Sequence, residues 1–255
     1  MTGDARGVAL ITGAAGAIGG EVARGLAAQG MHVLIADRHG ADAVAGGLRE
    51  GGLAAQAVEL DVTSSEGWEG MARMVRDEHG RLDVLVNAAG IEGTTGRLWE
   101  QSPENFELVM RVNATGTFLA MRSLLPIMCE AKGGAVVNIS STAGVLGLPG
   151  MAPYVASKHA VIGLTRAAAI EVAGVGVRVN VVCPGPTTGR MMHQIERGAR
   201  PDDPARAGAA YRAAIPLRRY ADPVEVAATV LHLVSKGSAY ITGAVVMVDG
   251  GMSAL

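Results

Sequence analysis

Tyr154 and Lys158 are the residues whose types and spacing most directly suggest catalysis. They stand four positions apart, so a helix would place both on one face, one turn apart. A free tyrosine loses its proton near pH ~10. A neighbouring ammonium would stabilise the phenolate and lower that pKa toward neutrality, which makes the hydroxyl useful as a general acid or base. The same spacing also arises by chance between an ordinary tyrosine and a surface lysine, so the pair alone does not decide.

A glycine-rich turn supplies the second chemical feature. Residues 12–19 read TGAAGAIG, directly after an apolar run and directly before a helical pattern. Glycines let the chain turn tightly and bring its amides close to a pyrophosphate, and the helix that follows adds free N–H groups and a partial positive charge. Glycines also serve ordinary turns, but the position between a first strand and a first helix favours a dinucleotide site.

Asp37 stands at the end of the second apolar run, 18 residues after Gly19. A carboxylate there can accept hydrogen bonds from the adenosine ribose hydroxyls, and it would repel a 2′-phosphate. We therefore expect NAD(H) as the preferred cofactor. NADP(H) is not excluded, because the neighbouring Arg38 could pair with that phosphate. Asp37 could also simply end a strand and cap the next helix.

The elements that must position these residues alternate between strands and helices. Runs rich in valine and isoleucine predict strands at residues 7–12, 31–36, 54–60, 82–87, 135–140, 177–183 and 244–248. Several are apolar on both faces, which is typical of parallel strands covered by helices on two sides. Pro153 fits the first turn of the helix that carries Tyr154. The sequence predicts an α/β fold: a Rossmann-type doubly wound parallel sheet of about seven strands, in a single domain spanning residues 1–255.

The composition argues against several classes of protein. Hydrophobic residues make up 49% and charged residues 18%, which favours a large buried core over disorder. A net charge of −2 gives no basis for binding nucleic acid or an anionic membrane surface. No apolar stretch is long enough to span a bilayer, no His or Cys spacing fits a metal site, and the two cysteines form no CxxC pair. We expect a soluble, metal-free cytoplasmic protein with reduced cysteines.

Further motifs follow in a fixed order along the chain. They are Asp61-Val62, Asn87-Ala88-Ala89-Gly90, Asn113, Ser141 (13 residues before Tyr154), Pro184-Gly185 and Asp249-Gly250-Gly251. Together with the glycine-rich turn and the Tyr154–Lys158 pair, this ordered set resembles the short-chain dehydrogenase/reductase family over essentially the whole chain. Any one motif could arise by chance, but the ordered set is highly specific.

The resemblance implies a role for each match. Tyr154 would exchange a proton with the substrate oxygen, and Lys158 would tune Tyr154 and hold the nicotinamide ribose. Ser141 would hydrogen-bond the substrate oxygen, and Asn113 would hold a water that links Lys158 to solvent. Ser140 is the competing serine, which we assign to the strand end. The implied cofactor contacts, besides Tyr154 and Lys158, are Thr12, Gly13, Gly16, Ala17, Ile18, Gly19, Asp37, Arg38, Asp61, Val62, Asn87, Ala88, Ala89, Gly90, Pro184, Gly185, Thr187 and Thr188.

Two positions depart from the family pattern. Ala17 replaces the middle glycine of the turn, and its methyl group would either weaken pyrophosphate binding or be absorbed by a small shift. Gly189 stands where the family commonly has threonine, so Thr187 or Thr188 could replace that residue's contact with the nicotinamide amide.

The resemblance also implies a substrate pocket. It maps onto the segment between Ser141 and Tyr154 and onto residues 188–220, where prolines among many charged residues predict a mobile lid. The implied lining residues are Ser141, Val145, Leu146, Leu148, Met151, Met191, Met192 and Ile195, with plain core packing of the apolar ones as the alternative. Glu92 and His193 are the ionisable residues expected near the mouth. We therefore expect an uncharged, mostly apolar substrate rather than a carboxylate.

The leading hypothesis is an oxidoreductase that transfers a hydride between NAD(H) and a neutral secondary alcohol or ketone. One alternative is an NADPH-dependent reductase of the 3-oxoacyl-(acyl-carrier-protein) type. Another is a non-catalytic nicotinamide-binding sensor, which would need no proton donor. The helix from Tyr154 to Val172 is apolar on more than one face. The resemblance implies a homotetramer built on this helix and the preceding one, with Met247 and residues 252–255 at a second interface.

Overall fold

Seven parallel strands form one sheet in the computed structural model, which describes residues 7–254. The strands are β1 (Val8–Thr12), β2 (His32–Asp37), β3 (Ala55–Glu59), β4 (Val84–Asn87), β5 (Gly134–Ile139), β6 (Val177–Pro184) and β7 (Val245–Val248). Their order across the sheet is β3-β2-β1-β4-β5-β6-β7, and every neighbouring pair is parallel. Each predicted strand is present within two residues of its predicted bounds, so the predicted fold class is confirmed.

Helices cover both faces of the sheet. They are α1 (Ala17–Ala28), α2 (Ala41–Glu50), α3 (Ser65–Met74), α4 (Pro103–Met110), α5 (Gly116–Glu130), α6 (Ala152–Val172), α7 (Arg190–Ala199), α8 (Pro204–Ala214) and α9 (Pro223–Val234). Pro153 lies in the first turn of α6, as predicted. A π-helical turn, Arg111–Thr115, joins α4 to α5, and such turns often occur at functional sites. Across residues 7–254, none of the helices combines the length and the apolar character that crossing a bilayer requires.

The strands bury alternate residues in two layers. On one face Leu10 belongs to a core with Trp68 of α3 and Leu124 of α5, while on the other Ile11 belongs to a core with Val22 of α1. All five side chains are fully buried. Burial of such a side chain contributes about 1.5–3 kcal/mol. The two layers therefore hold the sheet as a rigid platform, and the strand ends that carry the polar residues are fixed by it.

Residues 188–220 leave the sheet as a helical excursion. Its two ends meet, because the N–H of Thr188 donates to the carbonyl of Ala221 at 2.9 Å. The hydroxyl of Tyr220 donates to Oε1 of Glu196 at 2.7 Å and lies 3.2 Å from the carbonyl of Gly208, which links α7 to α8. The excursion is therefore a closed unit held at its base, and its mobility stays a prediction.

Candidate active site

The predicted site residues gather at the carboxyl edge of the sheet. β1 ends at Thr12, β2 at Asp37 and β4 at Asn87, while Ser141 follows β5 by two residues. The strand order reverses between β1 and β4, where the chain leaves toward opposite sides of the sheet. In doubly wound sheets this reversal opens a crevice in which ligands bind.

The glycine-rich turn depends on backbone approaches that a side chain would prevent. Gly13 has a φ of +64°, and a Cβ atom there would lie 2.6 Å from the backbone nitrogen of Ala89. A Cβ atom at Gly19 would collide with the carbonyl oxygen of Gly13. Oγ1 of Thr12 accepts from the N–H groups of Ala88 and Ala89 at 3.2 and 3.3 Å. These contacts join the turn firmly to the segment that follows β4.

The start of α1 is suited to an anion. Gly16 is its N-cap, no side chain caps the helix, and its first turn carries no acidic residue. The first N–H groups of a helix have no partner within the helix, and they carry a partial positive charge. Ala17 and Ile18 therefore present their amides at the crevice, which fits the pyrophosphate of a dinucleotide.

The carboxylate of Asp37 faces this turn. Its Oδ2 accepts from the N–H of Ala15 at 3.1 Å, and its Oδ1 accepts from the N–H of His39 at 3.3 Å. Arg38 is exposed and lies close enough to Asp61 to affect it. Hydrogen bonds from the backbone and hydroxyl of Thr63 lower the pKa of Asp61, and the positive charge of Arg38 lowers it further. Next to Asp61, the carbonyl of Val62 accepts from the indole N–H of Trp68 at 2.9 Å.

Tyr154 and Lys158 are both buried on the first turns of α6. The Nζ atom of Lys158 lies 5.5 Å from the centroid of the Tyr154 ring and donates to the carbonyl of Ile139 at 3.0 Å. Ser141 faces them from the end of β5, and its Oγ accepts from the N–H of Ala143 at 3.1 Å. The structure therefore brings Ser141, Tyr154 and Lys158 together.

Burial controls the pKa values of this pair. Burial raises the pKa of Tyr154 to about 12; a hydrogen bond with Ser141 lowers it, and the nearby carboxylate of Glu92 raises it further. Burial also lowers the pKa of Lys158 to about 8. The pKa of Tyr154 is therefore raised, not lowered toward neutrality as the sequence predicted, because the loss of solvent is the largest influence on it.

Asn113 lies in the π-helical turn and holds the loop beside the site. Its Oδ1 accepts from the N–H of Ile91 at 2.8 Å, and its Nδ2 donates to the carbonyl of Ile91 and to Oγ of Ser157, both at 2.9 Å. Ser157 in turn donates to the carbonyl of Tyr154 at 2.8 Å. The amide therefore fixes the backbone next to Glu92, and a water held by Asn113 stays a prediction.

Two neighbours set the place of Lys158. A Cβ atom on Gly90 would lie 3.3 Å from Nζ of Lys158 and 3.2 Å from Oδ1 of Asn113, so the absence of a side chain there lets three elements converge. Ser140 is buried, and its hydroxyl donates to the carbonyl of Lys158 at 2.8 Å. Ser140 thus fastens α6 to the end of β5, in keeping with its assignment to the strand end.

A row of buried polar side chains, joined by hydrogen bonds, lies below the site and was not predicted from the sequence. Nδ2 of Asn87 donates to Oδ1 of Asn138 at 2.8 Å, and Nδ2 of Asn138 donates to Oγ1 of Thr165 at 2.9 Å. Asn87 therefore directs its amide nitrogen into the sheet and links β4 to β5. Single asparagines inside otherwise apolar strands, as in residues 134–139, are the signal that could have revealed this row.

Hydrogen bonds to β7 and within the segment hold the residues expected to border the nicotinamide. The N–H of Gly185 donates to the carbonyl of Val248 at 2.9 Å, and the hydroxyl of Thr187 donates to the carbonyl of Gly185 at 3.0 Å. Thr188 is exposed. Thr187 therefore has its proton engaged, and only its oxygen lone pairs are free for a further contact.

Part of the predicted pocket forms an apolar cluster around Tyr154. Leu148, Met151 and Ile195 belong to it, together with Val109, Ala143, Ile91 and Val155. The other predicted lining residues, Val145, Leu146, Met191 and Met192, lie outside this cluster: Val145 is exposed, Leu146 and Met191 are half-buried, and Met192 is buried. His193 is exposed on α7, whereas the half-buried Glu92 acts electrostatically on Tyr154.

Histidine, cysteine and carboxylate side chains assemble into no group of three or more that could hold a metal ion within residues 7–254. Cys129 and Cys183 are both free thiols, and burial raises the pKa of each.

Comparison with known proteins agrees with this geometry. A family model described as "Enoyl-(Acyl carrier protein) reductase" matches residues 13–253. The 3-oxoacyl-[acyl-carrier-protein] reductase of Synechocystis sp. is 38% identical over 249 residues, which cover 96% of each chain. The structure of levodione reductase superposes with a TM-score of 0.95 at 32% identity over 98% of both chains. The structure of NAD+-bound xylitol dehydrogenase superposes with a TM-score of 0.92 at 32% identity, over 96% of this chain and 98% of that one.

Proposed function

Because the chain belongs to the short-chain dehydrogenase/reductase family, and so is an oxidoreductase that uses a nicotinamide cofactor on alcohols and ketones, we propose that it transfers a hydride between NAD(H) and a neutral, mostly apolar secondary alcohol or ketone. One observation carries this proposal. Tyr154 is buried beside Ser141 and Lys158 and packs in an apolar cluster, at the edge of the sheet where α1 presents uncapped amides.

The cofactor has a fitting place in this chain. The amides at the start of α1 would hold its pyrophosphate, Asp37 would accept hydrogen bonds from its adenosine ribose, and Lys158 would hold its nicotinamide ribose. When bound, the cofactor would supply or accept the hydride.

Tyr154 handles the proton. With a pKa of about 12 it is protonated at neutral pH, so it can donate to the carbonyl oxygen of a ketone. Ser141 accepts from the backbone of Ala143 and hydrogen-bonds Tyr154, so its hydroxyl would turn to the same substrate oxygen when a substrate binds beside Tyr154. In the oxidation direction the phenolate must form, and the ammonium of Lys158 nearby favours it.

The preference for NAD(H) rests on the charges at the end of β2. The carboxylate of Asp37 is held against the turn by Ala15. A 2′-phosphate placed there would face a like charge, which costs several kcal/mol at close range. Arg38 is exposed and lies close enough to Asp61 to lower its pKa, so its charge would be shared between Asp61 and such a phosphate.

The preference for a neutral substrate rests on Glu92. This carboxylate is half-buried, and it lies close enough to Tyr154 to raise the pKa of the phenol. A substrate carboxylate beside the reacting carbon would meet this negative charge in an apolar pocket, where charges are poorly screened. Neutral ketones avoid that repulsion.

A substrate and cofactor panel tests the proposal. The purified chain is assayed with NADH and with NADPH against neutral cyclic and aromatic ketones, 2-oxo acids and 3-oxoacyl thioesters. We expect the highest kcat/KM for NADH with neutral ketones. Preference for NADPH with 3-oxoacyl thioesters would favour the acyl-carrier alternative, to which the relative from Synechocystis sp. points. Tight NADH binding without turnover of any substrate would indicate a sensor.

We also propose a homotetramer that forms through α5 and α6. Val161 and Ile162 of α6 are buried within the chain, but Ile170 is 82% exposed and Phe118 of α5 is 45% exposed. Met247 and residues 252–253 are half-buried, and Leu255 lies outside the described residues. A cytoplasmic location is proposed as well, supported by the two free cysteines.

A further inference from the structure

The two positions that depart from the family pattern, Ala17 and Gly189, face each other in the structure. Ala17 is the first residue of α1, and Gly189 is the N-cap of α7. A Cβ atom built on Gly189 would lie 3.3 Å from the Cβ of Ala17. Carbon atoms prefer to be about 3.5–4.0 Å apart. A side chain at position 189 would therefore fit only if the methyl group of Ala17 or the start of α7 shifted by a few tenths of an ångström.

Gly189 is also the point at which the excursion turns into its first helix. Its φ is +144° and its ψ is 179°, a backbone conformation that residues other than glycine rarely adopt. Its carbonyl accepts the first hydrogen bond of α7, from the N–H of His193 at 3.2 Å. On the other side, Thr188 is bonded to Ala221 at the base of the excursion. Gly189 therefore determines where α7 begins.

The start of α7 lies beside the first turn of α1, where the cofactor would bind. Ala17 opens the uncapped first turn of α1, whereas α7 carries Ile195 of the apolar cluster around Tyr154. We propose that Ala17 and Gly189 form a matched pair that positions α7, and with it one wall of the substrate pocket, against the phosphate-binding turn. The proposal rests on the proposed cofactor binding at this turn. Both are positioning residues: the pair acts through α7.

A second pair of the same kind offers a matched control. A Cβ atom on Gly40 would lie 3.3 Å from the Cβ of Ala15. Gly40 has a φ of +83° and is the N-cap of α2. This contact joins the same turn to a different helix, outside the excursion. Substitutions here reproduce the steric change without touching α7.

A double-mutant cycle on the full chain measures the coupling. Gly189→Ala is made alone and together with Ala17→Gly, and the Kd of NADH and the KM and kcat for the best ketone are compared. The backbone strain at position 189 is the same in both backgrounds, but the contact with the Ala17 methyl group exists in only one. We expect Gly189→Ala to raise Kd and KM about tenfold alone and about threefold or less beside Ala17→Gly. Equal factors in the two backgrounds would overturn the pairing.

Hydrogen exchange keeps the proposal testable even if Gly189→Ala does not fold. Ala17→Gly removes the methyl group that lies 3.3 Å from the Cβ position of Gly189, next to the start of α7. We expect the amides of residues 193–199 to exchange about fivefold faster or more, with those of residues 44–50 unchanged. Ala15→Gly should show the reverse pattern. Unchanged exchange in α7 would refute the inference. This contrast is measured without cofactor, so it decides the pairing even if the proposed activity fails.

Discussion

Replacing Lys158 by methionine should stabilise the fold while it removes activity. The side chain is buried, and burial lowers its pKa from 10.5 to about 8. Below pH 8 the folded protein must hold a buried ammonium that the unfolded chain would solvate. Methionine has similar length and no charge, so it removes that cost.

The magnitude follows from the shift. One pKa unit corresponds to about 1.4 kcal/mol, so the fall to about 8 costs the folded state about 3 kcal/mol near neutral pH. The variant also loses the hydrogen bond from Nζ to the carbonyl of Ile139, which destabilises its folded state by about 1 kcal/mol. We therefore expect Lys158→Met to raise the free energy of unfolding by about 2 kcal/mol near pH 7.

The sign of the pH dependence is fixed by the same values. Between pH 8 and 10.5 the unfolded chain binds more protons at this residue than the folded chain, so this contribution makes the wild type more stable as pH rises. The difference in the free energy of unfolding between Lys158→Met and the wild type should therefore decrease by about 2 kcal/mol between about pH 7 and pH 9.5.

Urea unfolding of both proteins at the two pH values measures this, under conditions in which their oligomeric states agree. Lys236→Met is the matched control, because Lys236 is exposed and such changes usually stay within about 0.5 kcal/mol. A less stable Lys158→Met variant, or a difference that does not change with pH, would refute the reasoning.

Three further outcomes are expected. Glu92→Gln removes a charge that raises the pKa of Tyr154, so the rise of kcat/KM for alcohol oxidation should move to lower pH, by up to about one unit; a shift to higher pH would contradict this. Asp37→Ser should raise the ratio of NADPH to NADH efficiency about 100-fold, the scale of a relieved like-charge contact, and an unchanged ratio would remove Asp37 from cofactor choice. Ile170→Lys, at an exposed apolar position of α6, should yield smaller assemblies in size-exclusion chromatography with light scattering, whereas an intact tetramer would exclude this face as the interface.

Local patterns in the sequence were enough to predict the parallel sheet and the site residues at its carboxyl edge. Strands that are apolar on both faces, such as Val84–Asn87, have few alternatives to a covered parallel sheet. The turn at residues 12–19 and the spacing of Tyr154 and Lys158 each encode a geometry within a few residues. These short segments have the predicted local geometry in the folded protein, and the structure shows them at the expected edge of the sheet.

The electrostatics of the site could not be predicted in the same way. Whether Lys158 lowers the pKa of Tyr154 depends on how much solvent both lose, and burial is set by packing from α4, β5 and the loop after β4 together. The hydrogen bonds of Asn113 to Ile91 and Ser157 join three distant segments. The approach of the Gly189 backbone to the methyl group of Ala17 likewise brings the first helix and the excursion together. Long-range contacts of this kind leave no local pattern in a single sequence.

Tyr154→Phe tests the central claim most directly, since it removes one oxygen and keeps the ring in the apolar cluster. NADH binding is followed by fluorescence titration, and ketone reduction by absorbance. The account predicts a Kd for NADH within about threefold of the wild type and a kcat at least about 100-fold lower, the scale of lost general acid catalysis. Undiminished turnover in this variant would contradict the role of the phenol as the proton donor.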